Sequence, residues 1–192
     1  MDIDLVANAT ILKRKVENQL EQLIHIADKF EVFRSIEFAV EDSDKVDFSL
    51  FDISNVVYLI QIADFGNAVN GRRLCSSIAG LKKKSKIKFK LPKVNVPSDG
   101  DSVLYIGKSS GSFKNRMEQH LLGKSETTFA LHLNKWNNYP KEFEGLRFKL
   151  YFTEIKFNQL GIDDKNEQKD LLELVETSLH QNYKPLLGRS GH

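Results

Sequence analysis

Two long segments of the chain have apolar residues at every third or fourth position, which is the spacing of an amphipathic helix. The first covers residues 4–33, and we expect it to be a docking or dimerisation helix. The second covers residues 166–181, where Glu176 falls within the apolar stripe. Because an unpaired buried charge is costly, this carboxylate requires a metal ion or a basic side chain such as Arg116 as its partner.

Shorter apolar runs between these segments predict β-strands. Residues 56–62 combine β-branched and aromatic side chains, and residues 146–155 alternate between apolar and polar positions. A third run, residues 103–106, leads into Gly107 and a turn. Residues 127–136 predict a further short helix. Helices and strands in one chain predict the α/β (α+β) class.

The segment at residues 102–122 combines a strand, a turn and a helix, and it concentrates polar groups near one point. Tyr105 lies at the end of the strand and Lys108 in the turn. Arg116 and His120 follow four residues apart, so they share one face of the helix. We expect these four proton-handling or phosphate-binding groups to lie together. A solvent-facing position for the arginine and the histidine is the plain alternative.

The net charge of +2 conceals a segregation of charge along the chain. Residues 65–98 contain nine Lys or Arg residues and no acid, whereas residues 1–50 contain six against eleven Asp or Glu. Within the basic segment, residues 86–91 alternate, which predicts a strand with lysines on one face. Such a face suits a phosphate backbone, and the alternatives are a solvated loop or an edge strand protected by lysine. The lysines assigned to DNA binding are Lys82, Lys83, Lys84, Lys86, Lys88 and Lys90.

Several functional classes are excluded or disfavoured by what the sequence lacks. Its one cysteine, Cys75, cannot form an internal disulfide or a cysteine-based metal site. A P-loop needs a glycine five positions before Gly107, where Ser102 stands, and no Gly-x-Ser-x-Gly nucleophile elbow occurs. We find neither a membrane-spanning stretch nor a basic leader followed by an apolar core, so we expect a cytoplasmic protein without membrane contact.

The remaining polar groups form a set that suits phosphodiester hydrolysis: two tyrosines, a lysine, an arginine, a histidine and a glutamate. That reaction needs a base that activates water, cations that neutralise the transition state, and often a divalent ion at the leaving oxygen. The set can meet all three requirements.

The order of these residues resembles that of the GIY-YIG nuclease superfamily over roughly residues 51–188. The second tyrosine motif is matched letter for letter, whereas the first has valines in place of glycine and isoleucine. The matching positions are Val56-Val57-Tyr58, Leu104-Tyr105-Ile106-Gly107-Lys108, Arg116, His120, and Glu176 followed nine residues later by Pro185.

The resemblance implies a small central, mainly antiparallel sheet flanked by helices. It also implies a nuclease domain at residues 51–192, preceded by an N-terminal helical region at residues 1–50. A basic insertion at about residues 65–98 separates the two tyrosine motifs, which usually lie close together, and we expect it to contact DNA. A second departure is Gly188, which stands where many members carry an asparagine, and the nearby Asn182 is out of register.

The resemblance also implies catalytic roles for these residues. Tyr58 is expected to be the general base or to position the attacking water, with its pKa lowered by nearby Lys108 and His120. Arg116 is expected to hold the scissile phosphate, and Tyr105 to orient the site by hydrogen bonding.

Glu176 is expected, on the same resemblance, to bind one Mg²⁺ (or Mn²⁺) that stabilises the leaving 3′ oxygen. The expected activity is a metal-dependent endonuclease of restriction or phage type that acts on double-stranded DNA, with the N-terminal helix as a candidate homodimer interface. One alternative is a catalytically decayed module that still binds nucleic acid, which Gly188 favours. Another is an interaction protein built on the acidic N-terminal helix.

Overall fold

A four-stranded antiparallel sheet lies at the centre of the fold. The computed structural model describes residues 10, 11, 13–15, 17–19, 21, 33–83, 89–97, 100 and 102–189. The strands of the sheet are β1 (Arg34–Ala39), β2 (Val56–Phe65), β3 (Val103–Ser109) and β4 (Leu146–Glu154). They are ordered β1-β4-β2-β3, and every neighbouring pair is antiparallel. The predicted α+β class and small antiparallel sheet are therefore confirmed.

Downstream of residue 33, the described chain forms five α-helices. They are α1 (Gly71–Lys83), α2 (Phe113–Leu122), α3 (Leu133–Trp136), α4 (Pro140–Phe143) and α5 (Lys165–Tyr183). The Ser112 hydroxyl accepts a backbone N–H at the start of α2, and the Asp164 carboxylate accepts two at the start of α5. Gly123, in the left-handed region, ends α2. Every helix in the described residues is too short or too polar to cross a membrane.

The central strand β2 is covered on both faces, which explains its nearly continuous apolar sequence. Tyr58 and Ile60 belong to the main core, together with side chains of α1 and α2. Val57 belongs instead to a second cluster with Leu171 and Leu172 of α5. Because successive side chains of a strand point to opposite faces, α5 lies across the sheet from α1 and α2.

Most of the predicted elements are confirmed. The strands at residues 56–62, 103–106 and 146–155 correspond to β2, β3 and β4, and the helix at residues 166–181 corresponds to α5. The helix predicted at residues 127–136 is confined to α3, since His132 before it has a positive φ of 54°.

The N-terminal helical region at residues 1–50 requires a correction. Residues 34–39 form β1, which pairs with β4 along its whole length, so the sheet begins before residue 51. The pairing brings Ile36 and Phe38 against the core. The described positions between residues 10 and 21 are helical, and the rest of the predicted helix at residues 4–33, with the candidate dimer interface, lies almost wholly outside the described residues.

The basic segment at residues 65–98 contains a helix that the sequence pattern did not reveal. This helix, α1, buries Leu74 and Ile78 in the main core, so that part of the segment belongs to the fold. Residues 84–88 lie outside the described residues. The lysine-faced strand predicted at residues 86–91 is thus described only from residue 89, where the chain is not in a strand.

Candidate active site

A cavity of about 830 Å³ lies beside β3, one of the two edge strands of the sheet. Two of the predicted catalytic residues, Tyr58 and His120, are fully buried behind its wall and hydrogen-bond to each other. The other four line the cavity, and they are Tyr105, Lys108, Arg116 and Glu176. The structure therefore brings together all six residues from β2, β3, α2 and α5.

β3 contributes side chains from both of its faces to the lining of the cavity. Tyr105 packs against the main core, while Lys108, three residues further, pairs with carboxylates of α5 on the opposite face. An odd separation along a strand produces this placement. Lys108 itself lies within β3 and not in the turn where the sequence pattern placed it. Groups from α2 and α5, on opposite sides of the sheet, consequently meet at the β3 edge.

Arg116 is held in one orientation by four acceptors. Its Nε donates to Tyr58 Oη at 3.1 Å, and its Nη2 donates to Tyr105 Oη at 3.1 Å and to the Phe129 carbonyl at 3.3 Å. Its Nη1 donates to Gln119 Oε1 at 3.0 Å. None of these acceptors is a carboxylate, and no carboxylate of the described residues forms an ion pair with this guanidinium. A fixed positive charge that no carboxylate contacts directly is suited to binding an anion.

The buried pair of Tyr58 and His120 has a defined direction of hydrogen bonding. The amide N–H of Leu131 donates to His120 Nδ1 at 3.2 Å, so Nδ1 is the unprotonated nitrogen. Burial lowers the pKa of His120 well below its usual range, and the charge of Arg116 acts in the same direction. The imidazole is therefore neutral and carries its proton on Nε2, which donates to Tyr58 Oη at 2.9 Å.

Tyr58 consequently accepts two hydrogen bonds, from His120 and from Arg116, and remains a neutral phenol. Burial raises the pKa of Tyr58, and the charge of Arg116 opposes this effect without overcoming it. The expectation that Lys108 and His120 lower this pKa is therefore wrong, since Lys108 pairs with carboxylates of α5 and His120 is uncharged. Tyr58 supports Arg116 from inside the protein.

Gly107 allows the two tyrosine rings to approach the β3 backbone. The strand register places it opposite Tyr58. A Cβ at this position would lie 2.6 Å from Tyr58 Cζ and 2.8 Å from Tyr105 Cε1. The Tyr58 ring is fully buried and stacks on the Tyr105 ring, with 6.1 Å between centroids, so it has no room to move away. This glycine is needed for packing inside a strand and not for a turn.

Lys108 is the partner that the Glu176 carboxylate required. Its Nζ lies 2.9 Å from Glu173 Oε2 and 3.5 Å from Glu176 Oε2. Burial raises the pKa of Glu176, and the Lys108 charge opposes this effect. The direct partner is therefore Lys108 and not Arg116. Glu173 was not predicted, although its spacing of three residues from Glu176 on one helix was a usable signal.

The α5 carboxylates suit a Mg²⁺ or Mn²⁺ ion. Mg²⁺ in phosphate-processing sites uses one or two carboxylates and completes its shell with water and substrate phosphate. Glu176 lines the cavity, and Glu173 lies three residues before it on the same helix. Among the described residues no group of three or more His, Cys, Asp or Glu side chains is placed to hold a metal. Two carboxylates on one helix fit the donor set of such an ion, whose remaining positions water and substrate phosphate complete.

The structure places two of the six lysines assigned to DNA binding. Lys82 Nζ donates hydrogen bonds to the carbonyls of Leu91 at 3.3 Å and Pro92 at 2.8 Å, and so connects the end of α1 to the next described segment. Lys82 also lines the cavity. Lys90 Nζ lies 5.5 Å from the centroid of the Phe129 ring. Outside the described residues lie Lys84, Lys86, Lys88 and the side chain of Lys83.

Two basic residues that were not assigned to the site, Lys93 and Arg189, also line the cavity. The N–H of Gly188 donates to the Lys93 carbonyl at 2.8 Å, so these residues lie on adjacent segments. The signal for Lys93 was its place in the basic segment. Arg189 had no local signal, because it reaches the cavity only through the pairing of Leu187 with β3.

The backbone and the surroundings of Gly188 disfavour the side chain that the family resemblance would place there. Its φ is 108°, and a Cβ would lie 3.2 Å from Tyr105 Cε2. Asn182 is exposed and does not line the cavity. The amide at this turn belongs to Asn95, whose Nδ2 donates to the carbonyls of Pro185 at 2.8 Å and Gly188 at 3.1 Å.

Comparison of the chain with protein-family models, with curated proteins and with solved structures finds no significant match.

Proposed function

We propose that this protein is an endonuclease that hydrolyses phosphodiester bonds of double-stranded DNA and requires Mg²⁺ or Mn²⁺ for this activity. One observation carries the proposal: a single cavity contains an oriented guanidinium without a carboxylate partner and, beside it, the carboxylate of Glu176. Metal-dependent phosphodiester hydrolysis needs a cationic group for the phosphate and an anionic group for the metal. The order of residues shared with GIY-YIG nucleases supports the same function.

Arg116 binds the scissile phosphate. A guanidinium has five N–H groups, and protein acceptors occupy four of those on Arg116. One N–H on Nη1 and the full positive charge remain for a phosphate oxygen. Because the four occupied groups hold the side chain in place, little reorganisation is needed when substrate binds.

Glu176, with Glu173 beside it, would hold the metal. When bound, Mg²⁺ supplies electrostatic stabilisation of the charge that develops on the leaving 3′ oxygen. In the free protein, the Lys108 ammonium contacts both carboxylates and offsets part of their negative charge. Its shorter contact with Glu173 leaves Glu176 as the more available ligand.

Tyr58 and His120 act as positioning residues, because both are fully buried and neither lines the cavity. Tyr105 is the tyrosine that lines the cavity. Since its Oη accepts a hydrogen bond from Arg116, it keeps its own proton to donate to a phosphate oxygen or to orient the attacking water.

Plasmid cleavage in Mg²⁺ tests the proposal. We expect Arg116→Ala and Glu176→Gln each to reduce the nicking rate about 100- to 1000-fold, the usual effect of removing one group that stabilises charge in a transition state. The matched control is Arg147→Ala, which removes an exposed arginine paired with Glu37 outside the cavity and should leave the rate unchanged. Nicking by Arg116→Ala and Glu176→Gln at the wild-type rate would exclude the assigned site.

The products of the same digest distinguish the two nuclease types. Discrete fragments indicate a sequence-specific enzyme of restriction type, and a smear indicates a nonspecific nuclease.

A second candidate function is a nucleic-acid-binding module without catalysis. The contact of the Lys108 ammonium with Glu176 favours it, because this cation occupies part of the carboxylate that a metal would use. Such a protein would bind DNA with a dependence on Arg116 but would not nick it in any divalent metal.

A further inference from the structure

Phe129 is an exposed aromatic side chain in the lining of the proposed catalytic cavity. It is 60% exposed, and it lines the cavity together with Arg116. The other exposed aromatic side chain of the described residues is Tyr183, which does not line this cavity. A flat apolar ring beside cationic groups suits a nucleotide, because the ring can stack on a base while the cations bind phosphate.

The backbone around Phe129 is held in place while its ring is left open to solvent. The Phe129 carbonyl accepts a hydrogen bond from Arg116 Nη2 at 3.3 Å, and the N–H of Ala130 donates to the Lys90 carbonyl at 3.3 Å. Ala130 and Leu131 are fully buried. The ring is therefore presented from an anchored segment, which reduces the entropy lost when a ligand stacks on it.

Lys90 adds a cation to the same surface. Its Nζ lies over the Phe129 ring, 5.5 Å from the centroid. Aromatic rings combined with basic side chains are the recurring elements of sites that hold unstacked nucleotides.

We propose that Phe129 stacks on a nucleobase that has left the DNA stack next to the phosphate bound by Arg116. The inference rests on the proposed function, because the hydrogen bond between Arg116 and the Phe129 carbonyl is what places the ring beside the scissile phosphate. The ligand is thus a nucleotide whose base is unstacked from its neighbours, like the nucleotides that base-flipping enzymes bind.

Binding to two single-stranded probes without Mg²⁺ tests the stacking. One probe is a short thymidine oligonucleotide, and the other is an abasic oligomer with the same number of phosphates. We expect Phe129→Ala to weaken binding of the thymidine probe about 10-fold, the effect of losing one stacked base, and to leave binding of the abasic probe unchanged. The matched control is Tyr183→Ala, which removes an exposed aromatic side chain outside the cavity and should change neither affinity.

Phe129→Trp provides a second readout. The chain has one tryptophan, Trp136, which is buried, so a new exposed indole would emit separately. We expect the thymidine probe to quench this emission, the abasic probe to leave it unchanged, and the affinity for thymidine to be at least that of wild type.

The outcomes separate this inference from the proposed function. If wild-type protein nicks plasmid and binds both probes equally, the stacking role is overturned and the nuclease proposal stands. If Phe129→Ala weakens both probes equally, the residue acts through Arg116, and the stacking role is again overturned. If neither probe binds and no plasmid is nicked, both proposals fall.

Discussion

Replacement of Gly107 by alanine tests whether the two tyrosines, Tyr58 and Tyr105, are packed as the structure shows. Gly107 does not have a positive φ, so alanine meets no backbone strain, and the effect comes from the added methyl group alone. That group would lie 2.6 Å from Tyr58 Cζ and 2.8 Å from Tyr105 Cε1. The neighbouring Tyr58 ring is fully buried, so relief requires it to move away from Arg116 and His120.

Two contributions set the expected loss of stability. Overpacking a filled core by one methyl group costs about 1 to 3 kcal/mol. Displacing the Tyr58 hydroxyl leaves buried donors of His120 and Arg116 without their acceptor, which costs roughly a further 1 to 3 kcal/mol. We therefore expect Gly107→Ala to lower the free energy of unfolding by about 2 to 6 kcal/mol, a large share of the stability of an ordinary domain.

Urea unfolding followed by the fluorescence of Trp136, which is buried, measures this change. Gly80→Ala is the matched control, because Gly80 lies inside α1 and a Cβ there has nothing within 4 Å. We expect it to raise the free energy of unfolding by about 1 kcal/mol through helix propensity. Wild-type stability in Gly107→Ala would refute the packing argument, and wild-type nicking by a destabilised variant would show that the position of Tyr58 is irrelevant to activity.

Two further predictions concern the buried Tyr58 and His120 pair. Tyr58→Phe should lower the free energy of unfolding by about 1 to 3 kcal/mol, because it leaves the Nε–H of Arg116 and the Nε2–H of His120 unpaired. Tyr105→Phe changes a half-buried position and should lower the free energy of unfolding by less than about 1 kcal/mol. Urea unfolding of the two variants measures the difference. The pKa of His120 is lowered in the folded state, so the unfolded chain binds a proton below its usual pKa of about 6.5 that the folded chain does not bind. The contribution of His120 to the free energy of unfolding should be fully present above that pH and should fall by up to about 1.4 kcal/mol per pH unit below it. Urea unfolding of His120→Asn at the same pH values should show a smaller dependence of this free energy on pH.

Local patterns were sufficient for the elements whose apolar residues repeat regularly. β2, β4 and α5 were predicted because their periods of two or about 3.6 residues are properties of neighbouring side chains. In α1, by contrast, Leu74 and Ile78 recur at helical spacing among glycines and serines, which lower helix propensity. Packing of these two side chains into the core stabilises that helix.

β1 was missed for a related reason. Its Ile36 and Phe38 alternate with polar residues, but the segment is short and follows a long helical pattern. Pairing with β4 is what makes it a strand, and such pairing between residues far apart in the chain is not readable from either segment alone.

The sequence by itself determined which polar groups the chain could bring together: its residue order named the tyrosines, Arg116 and Glu176. The tertiary structure decided what each group is bonded to. It paired Lys108, and not Arg116, with the carboxylates of α5. It also buried Tyr58 and so raised a pKa that proximity to cations had suggested would fall. The physical reason is that pKa values and ion pairs depend on burial and on distances between segments remote in sequence, which only the packed fold sets.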